Sequence, residues 1–290
     1  MAKRSPKISK EELEQDEVLD FADHALFWLR EHVNHILTVI ALLFVGYAVF
    51  IFFHQRQESQ LAEASNAFYT AQSQFDRTLA EHEWATEERT QAMREVVAQA
   101  DNIISQYGDT RLARNALFLK GNAYYFAGDG LGSTANTEEA IRIFEEYEQL
   151  AREQGDGFEQ AAALLALGYA HENLFVLTMS QDRQAAEQSL VAAANYYDEV
   201  VESPEAGFLR YEAMNAKGRL LQYLGREDEA KEIFKQVAQE AYKPLPPPPG
   251  QEASQRDQIM YQLKNLANQF TTGRTALIHL QRMGVETEEF

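Results

Sequence analysis

The apolar residues of this chain are concentrated in one uninterrupted run, residues 36–53 (ILTVIALLFVGYAVFIFF). The run holds 18 residues without a charge or a proline, and a helix of that length spans roughly 27 Å, about the hydrocarbon thickness of a bilayer. A buried core helix seldom has every face apolar over this length. A signal peptide has a shorter apolar run behind a basic lead, whereas 35 residues precede this run. The pattern therefore predicts a single retained transmembrane helix at 36–53.

The basic residues that flank the run predict its orientation. Cytoplasmic flanks of a span carry an excess of Lys and Arg, and here most of them precede the span, with only Arg56 close behind it. The preceding ones are Lys3, Arg4, Lys7, Lys10 and Arg30. We therefore expect the N-terminus in the cytoplasm and the large C-terminal domain in the periplasm of a bacterium, with the chain held in the cytoplasmic (inner) membrane.

Residues 1–35 are predicted to form a cytoplasmic tail with one amphipathic helix. Ser9 and Glu12 form a capping box at its start, and apolar residues then recur at helical spacing. The opposite face is acidic, whereas helices that lie on a membrane surface usually have a basic polar face. We expect this helix to pack on a partner protein or on its own span.

After the span, helical periodicity continues and then repeats. Helices are predicted at about 57–80 and 88–106, followed by three similar pairs at 116–129 with 138–147, 164–173 with 189–201, and 214–229 with 230–234. The first helix of each pair contains a glycine, and these are Gly121, Gly168 and Gly218. No alternating run bounded by turn residues indicates a strand. The sequence thus predicts an all-α fold in which stacked helical hairpins bury a continuous core.

The three pairs resemble the tetratricopeptide repeat. In that family a small residue on the first helix lets the second helix approach, and Gly121, Gly168 and Gly218 match it. The small residue and the following aromatic residue of the second helix are matched by Ala140 with Phe144, Ala192 with Tyr196, and Ala230 with Phe234. The resemblance implies a tetratricopeptide-like α-solenoid over 57–243, with insertions at 130–136 and 174–188 that are either recognition elements or slack.

The resemblance also implies a protein-binding groove, because the first helices of such hairpins line the concave face of the stack. Counted from the three glycines, the outward positions are Asn122, Tyr125, Phe126, Tyr169, Glu172, Asn173, Arg219, Gln222 and Tyr223. Aromatic residues are enriched at binding hot spots. The alternative is that the tyrosines are packing residues of the repeat core.

The end of the chain carries a proline run at 244–250 (PLPPPPG). Such a run cannot continue a helix and favours an extended polyproline conformation. We interpret it as a stiff linker, with a ligand for a proline-binding module as the alternative. Residues 251–290 are predicted to form capping helices, broken near Thr272, and an acidic tail.

Composition and motifs exclude several functions. The chain of 290 residues has no cysteine and a formal charge of −19, so it has no disulfide or thiolate site, and its acidity disfavours nucleic acid. His82 and Glu83 begin a zinc-binding HExxH pattern, but residue 86 is threonine, so the second histidine is missing. The glycine-rich segment 128–133 is not preceded by the predicted strand that a phosphate-binding loop requires. We therefore expect no enzyme activity, no metal, no cofactor and no small-molecule substrate.

The whole plan is similar to the ancillary subunit of the bacterial Sec translocon. That resemblance rests on the acidic N-terminal helix ending in 28–31 (WLRE), the single span, and the Ala- and Tyr-rich helical hairpins that follow. It implies a non-enzymatic scaffold that links Sec translocon subunits to periplasmic chaperones or client polypeptides. The alternative is a structural or assembly subunit of another membrane protein complex, and an enzyme with an unrecognised site ranks last.

Overall fold

The computed structural model describes residues 44, 46, 47, 50–52, 54, 56, 59–82, 86–108, 110–127, 134–242 and 271–287. The chain divides into two compact units, residues 1–63 and 64–290. In the first unit the described residues are helical. Their large apolar side chains are exposed, by 61–69% for Phe44, Tyr47, Phe50 and Phe52. The predicted amphipathic tail and most of the predicted span lie outside the described residues.

The second unit consists of helices throughout the ranges that are described. We number them α1 to α9, beginning with α1 at residues 64–81. The others are α2 (Glu87–Tyr107), α3 (Arg111–Tyr125), α4 (Thr134–Gln154), α5 (Gly157–Thr178), α6 (Arg183–Glu202), α7 (Leu209–Tyr223), α8 (Glu227–Ala241) and α9 (Thr272–Arg282). Because these ranges contain no strand, the predicted all-α fold is confirmed for them.

The helices stack as consecutive hairpins in two layers. From α2 to α8 each helix packs against the next one in sequence, and α9 packs on α8. The odd-numbered helices also contact one another, as α5 does α7 and α7 does α9. Buried clusters join successive hairpins, so the core is continuous from Ala71 on α1 to Leu280 on α9. This is the helical-repeat arrangement that the sequence predicts.

The three repeat glycines set the spacing between the two helices of each hairpin. A methyl group added at Gly121 would lie 2.5 Å from the ring of Phe144, and one at Gly218 would lie 2.6 Å from the ring of Phe234. At Gly168 the nearest ring belongs to Tyr197, at 2.3 Å. Only a residue without a side chain admits a ring this close, which confirms the role predicted for the glycines.

The predicted register of α6 is wrong by one residue. Ala193 and Tyr197 are fully buried and face α5, whereas the sequence predicted Ala192 and Tyr196 for these positions. Tyr196 instead stacks on His171, with ring centroids 5.4 Å apart. Two tyrosines stand side by side in the sequence. The buried stripe formed by Ala193, Tyr197 and Val200 decides between them.

The predicted insertion 174–188 mostly lengthens two helices and does not form a long loop. α5 continues to Thr178 and α6 begins at Arg183, which leaves a short turn inside the predicted insertion 174–188. That stretch contains no glycine or proline to stop a helix. The turn ends where the side chain of Asp182 accepts a hydrogen bond from the backbone N–H of Ala185, 3.0 Å away. The helix α4 likewise begins at Thr134, inside the predicted insertion 130–136.

Among the described residues, α5 alone is long and apolar enough to cross a bilayer. It lies in the middle of the stack, between α4 and α6, and 44% of its apolar window is buried by the protein itself. Contacts on both sides explain its apolar character, since a helix packed between neighbours is apolar over most of its circumference. We therefore assign α5 to the core of the repeat domain.

The last described helix covers the end of the stack. On α9, Gly273 lies against the backbone of Tyr242, where an added methyl group would meet the backbone nitrogen at 2.4 Å. The ring of His279 stacks on Phe234 with centroids 4.5 Å apart and planes 2° from parallel. Phe234 is thus enclosed between α7 and α9. The capping helix predicted before Thr272 and the proline run at 244–250 lie outside the described residues.

Candidate functional site

The predicted groove residues come from the odd-numbered helices α3, α5 and α7. Five of them form or border one connected surface, which we call the odd-helix face. Its members are Tyr125, Tyr169, Glu172, Arg219 and Tyr223. The helical spacing from each repeat glycine places them there, because positions one and four or five residues after the glycine lie on the same side of the helix.

The centre of the odd-helix face is a polar network between α5, α6 and α7. The hydroxyl of Tyr197 donates to Oε2 of Glu172 at 2.7 Å. The guanidinium of Arg219 donates to the same oxygen at 3.3 Å, and its Cζ lies 5.7 Å from the ring centroid of Tyr169. The Glu172 side chain is 13% exposed and that of Arg219 is 30% exposed. The pair is therefore largely shielded from solvent, and each charge needs the other to remain buried.

The electrostatics of this network hold its hydroxyls neutral. Burial, and then the negative charge of Glu172, raise the pKa of Tyr125 to about 12. Burial also raises the pKa of Tyr169 to about 12, with Arg219 opposing the shift. The pKa of Tyr197 is raised further by burial and by Glu172. At neutral pH the hydroxyls are therefore protonated and can donate hydrogen bonds.

Aromatic rings extend the face at both ends of the network. The ring of Tyr125 lies edge-on to Phe126, with centroids 4.8 Å apart. Phe126 lies in turn 5.9 Å from Phe75 on α1. At the other end, Tyr223 is 61% exposed and its ring centroid is 6.3 Å from that of Phe175. The face thus presents one buried polar centre flanked by aromatic surface.

Other predicted groove residues lie away from this surface or at its margin. Asn173 is buried, and its amide donates to the hydroxyl of Thr137 on α4 at 3.1 Å. It therefore contributes to packing between α4 and α5. Asn122 and Gln222 are half-buried on α3 and α7, and Phe126 packs against α1.

Sequence reasoning missed two residues of the site. Tyr197 was assigned to the wrong register, although its position four residues after Ala193 carries the same spacing as Ala140 with Phe144. Phe175 lies beyond the predicted end of the first helix, inside the predicted insertion 174–188. The absence of helix-breaking residues there was the signal that could have identified it.

The arrangement is suited to binding a polypeptide surface. Tyrosine and arginine that are half-buried and held by neighbours give a rigid, amphipathic surface with little entropy to lose on association. Within the described ranges, no group of three His, Cys, Asp or Glu side chains could hold a metal ion.

Comparison with known proteins identifies no family. No protein-family model matches the chain, and no curated protein matches it. Solved structures that match include a de novo designed helical repeat protein. It is 17% identical, with 78% of this chain and 97% of that chain covered and a TM-score of 0.30. The hairpins described above rest on contacts within this chain and do not depend on that similarity.

Proposed function

We propose that this protein is a membrane-anchored, non-enzymatic scaffold whose helical-repeat domain binds other proteins through the odd-helix face. The observation that carries the proposal is the network of Glu172, Tyr197, Arg219 and Tyr169, with exposed Tyr223 beside it. Helical-repeat domains commonly bind partners along the surface formed by one layer of helices.

The composition of the odd-helix face favours a protein ligand over a small molecule. Its aromatic rings are spread over α3, α5 and α7. A surface of this kind supplies several separate contacts, as a bound segment of polypeptide requires.

Two features support a membrane anchor. The run 36–53 has the length and composition of a span, and its described residues are helical with exposed aromatic side chains. A helix with large apolar side chains exposed needs an apolar environment to cover them. The basic residues before the run favour a cytoplasmic N-terminus and a periplasmic repeat domain.

The resemblance of the overall plan narrows the proposal. We propose that the protein lies beside the Sec translocon in the bacterial inner membrane and presents its repeat domain to periplasmic chaperones or client polypeptides. An assembly role in a different membrane complex would use the same architecture with other partners.

The partners can be identified by crosslinking the native membrane and purifying the full chain in mild detergent, followed by mass spectrometry. We expect crosslinks from residues 11–23 or from the span to Sec subunits. A stoichiometric set of other membrane proteins without Sec subunits would contradict the Sec assignment.

The role of the odd-helix face can be tested with Tyr125→Ala combined with Tyr223→Ala. We expect this variant to lose periplasmic partners while it keeps membrane partners. Phe208→Ala is the matched control, because Phe208 is 62% exposed, as Tyr223 is 61% exposed, but lies at the start of α7. If the unmodified protein, the double variant and the Phe208→Ala control recover the same partners in equal amounts, a binding role for this face is refuted.

A further inference from the structure

A second surface lies on the opposite side of α7 from the odd-helix face. A cavity of about 660 Å³ opens between α6 and α8, with the C-terminal half of α7 as its floor. We call it the α6–α8 groove. Leu220 and Leu221 form the buried part of the floor. Leu224 at its end is 47% exposed.

The apolar surface of the groove continues along α6. Ala194 and Asp198 line it, and Val191 lies on the same side of α6, three residues before Ala194. Val191 is 60% exposed. Two aliphatic side chains are therefore exposed, Leu224 in the lining of the cavity and Val191 farther along α6.

The preceding groove in the stack shows what fills such a space. Between α4 and α6, the residue three positions after the repeat glycine is His171, and the residue before the buried ring is Tyr196. These two rings stack on each other, with centroids 5.4 Å apart and planes 25° from parallel. The protein thus fills its own α4–α6 groove with an aromatic pair.

The same two positions in the α6–α8 groove carry smaller, aliphatic residues. Three positions after Gly218 is Leu221, and the residue before Phe234 is Ile233. Both line the cavity. The equivalent space, which an aromatic pair occupies one repeat earlier, is therefore open here. A planar ring supplied from outside is the group that matches it.

Four carboxylates and two cations line the groove. Asp198 pairs with Lys217, and Glu229 pairs with Arg226 at 2.6 Å. Two further carboxylates lie on α8: Asp228, whose side chain is fully exposed, and Glu232.

The lysines that pair with Asp228 and Glu232 can be replaced by cations of a partner protein. Lys231 lies 3.6 Å from Asp228 and Lys235 lies 2.8 Å from Glu232, both three residues along the same helix. Exposed pairs of this kind contribute little, so a partner's cation can take their place. Beyond residue 53 the chain has 37 Asp and Glu against 21 Lys and Arg, which further favours a basic partner.

We propose that the α6–α8 groove binds a segment of a partner protein in which an aromatic residue is flanked by lysine or arginine. The ring enters the space above Leu221 and Ile233, and the basic residues pair with Asp228 and Glu232. This surface is independent of the odd-helix face, so either proposal can fail without the other.

The probes are three short peptides added to the full chain in detergent, observed by methyl NMR of isoleucine and leucine. One has tryptophan between two pairs of lysines, one has alanine in place of tryptophan, and one has glutamates in place of the lysines. We expect the first peptide to shift the methyl signals of Ile233, Leu221 and Leu224. Its affinity should be about tenfold higher than that of either other peptide, as expected for an aromatic anchor with charge complementarity.

Two variants test the contributions of the ring and of the charges to peptide binding separately. Asp228→Lys combined with Glu232→Lys changes exposed side chains only, and should weaken the first peptide about tenfold at low salt. Leu221→His combined with Ile233→Tyr installs the aromatic pair of the α4–α6 groove and should abolish binding. Circular dichroism checks that both variants keep their helix content.

Several results would overturn the proposal. The first is equal methyl shifts with all three peptides, and the second is shifts confined to residues outside the groove. The third is shifts that appear when only the protein concentration is raised, because these would indicate that a second copy of the chain occupies the groove. Unchanged binding by the charge-reversed variant would refute the basic partner, because that variant retains the whole apolar floor.

Discussion

Gly168→Ala should loosen the contact between α5 and α6, even though alanine favours helix formation. Its added methyl group would lie 2.3 Å from Cε1 and 2.7 Å from Cδ1 of Tyr197. The ring cannot simply rotate away, because it is fully buried and its hydroxyl donates to Glu172 at 2.7 Å. The change therefore acts on packing and on the odd-helix network together.

The expected magnitude follows from three opposing contributions. Replacing glycine inside a helix gains about 1 kcal/mol in helix propensity. Overpacking a filled core costs about 1–3 kcal/mol, and losing a hydrogen bond to a charged group costs about 1.5–3 kcal/mol. The ring moves only far enough to relieve the overlap, so these costs are not both met in full. We expect a net loss of about 2 kcal/mol in the free energy of unfolding.

The assay is urea unfolding of the full chain in mild detergent, followed by circular dichroism at 222 nm. The matched background is Tyr197→Leu, which removes the ring that the methyl group meets. In that background Gly168→Ala should be neutral or stabilising, because only the propensity gain remains. A destabilisation of the same size in both backgrounds would show that the cost does not arise from the glycine–ring contact.

Three further predictions concern buried polar groups. Arg89 is 1% exposed and donates to the backbone carbonyls of residues 82 and 126, at the ends of two helices. Because Arg89→Leu leaves these carbonyls without a charged donor, it should lower the free energy of unfolding by about 3 kcal/mol in the same urea titration. Burial raises the pKa of Tyr125 and Tyr169 from 10.0 to about 12, so the unfolded chain loses these protons first. Stability should therefore hold below pH 10 and fall as the pH rises toward 12, and phenylalanine at both positions should flatten the fall. Burial lowers the pKa of His171 below 6.5, so its imidazole takes up a proton more readily in the unfolded chain. Stability should therefore fall as the pH drops below 6.5. Urea midpoints measured against pH should fall less steeply for His171→Phe.

The helical content and the repeats could be predicted from the sequence because they depend on local rules. Gly121 recurs as Gly218, and Ala140 with Phe144 recurs as Ala230 with Phe234, again four residues apart. These positions fix which faces of the two helices meet. The helix ends were less predictable. Residues 174–178 extend α5 because nothing in them stops a helix, while an alignment of repeats marks them as an insertion.

The odd-helix face was predictable in outline only. Counting from each glycine located Tyr169, Glu172 and Arg219, because a helix repeats its faces at fixed intervals. Tyr197, which joins the network through Glu172, could not be predicted in the same way. Either Tyr196 or Tyr197 could face α5, and packing between the two helices of the hairpin decides which one is buried. The same counting wrongly predicts Asn173 as a groove residue. Its hydrogen bond to Thr137 joins α5 to α4, and a contact between helices cannot be read from the spacing within one helix.

The most direct test of the proposed function is site-specific photo-crosslinking in living cells. Benzoylphenylalanine would replace Tyr223 on the odd-helix face in one strain and Phe208, of equal exposure, in another. If the odd-helix face binds partners, position 223 should give discrete protein adducts that are lost when Arg219→Ala and Tyr169→Ala are added, and position 208 should give no such adducts. Adducts of equal number and intensity from both positions, unchanged by those substitutions, would contradict this prediction.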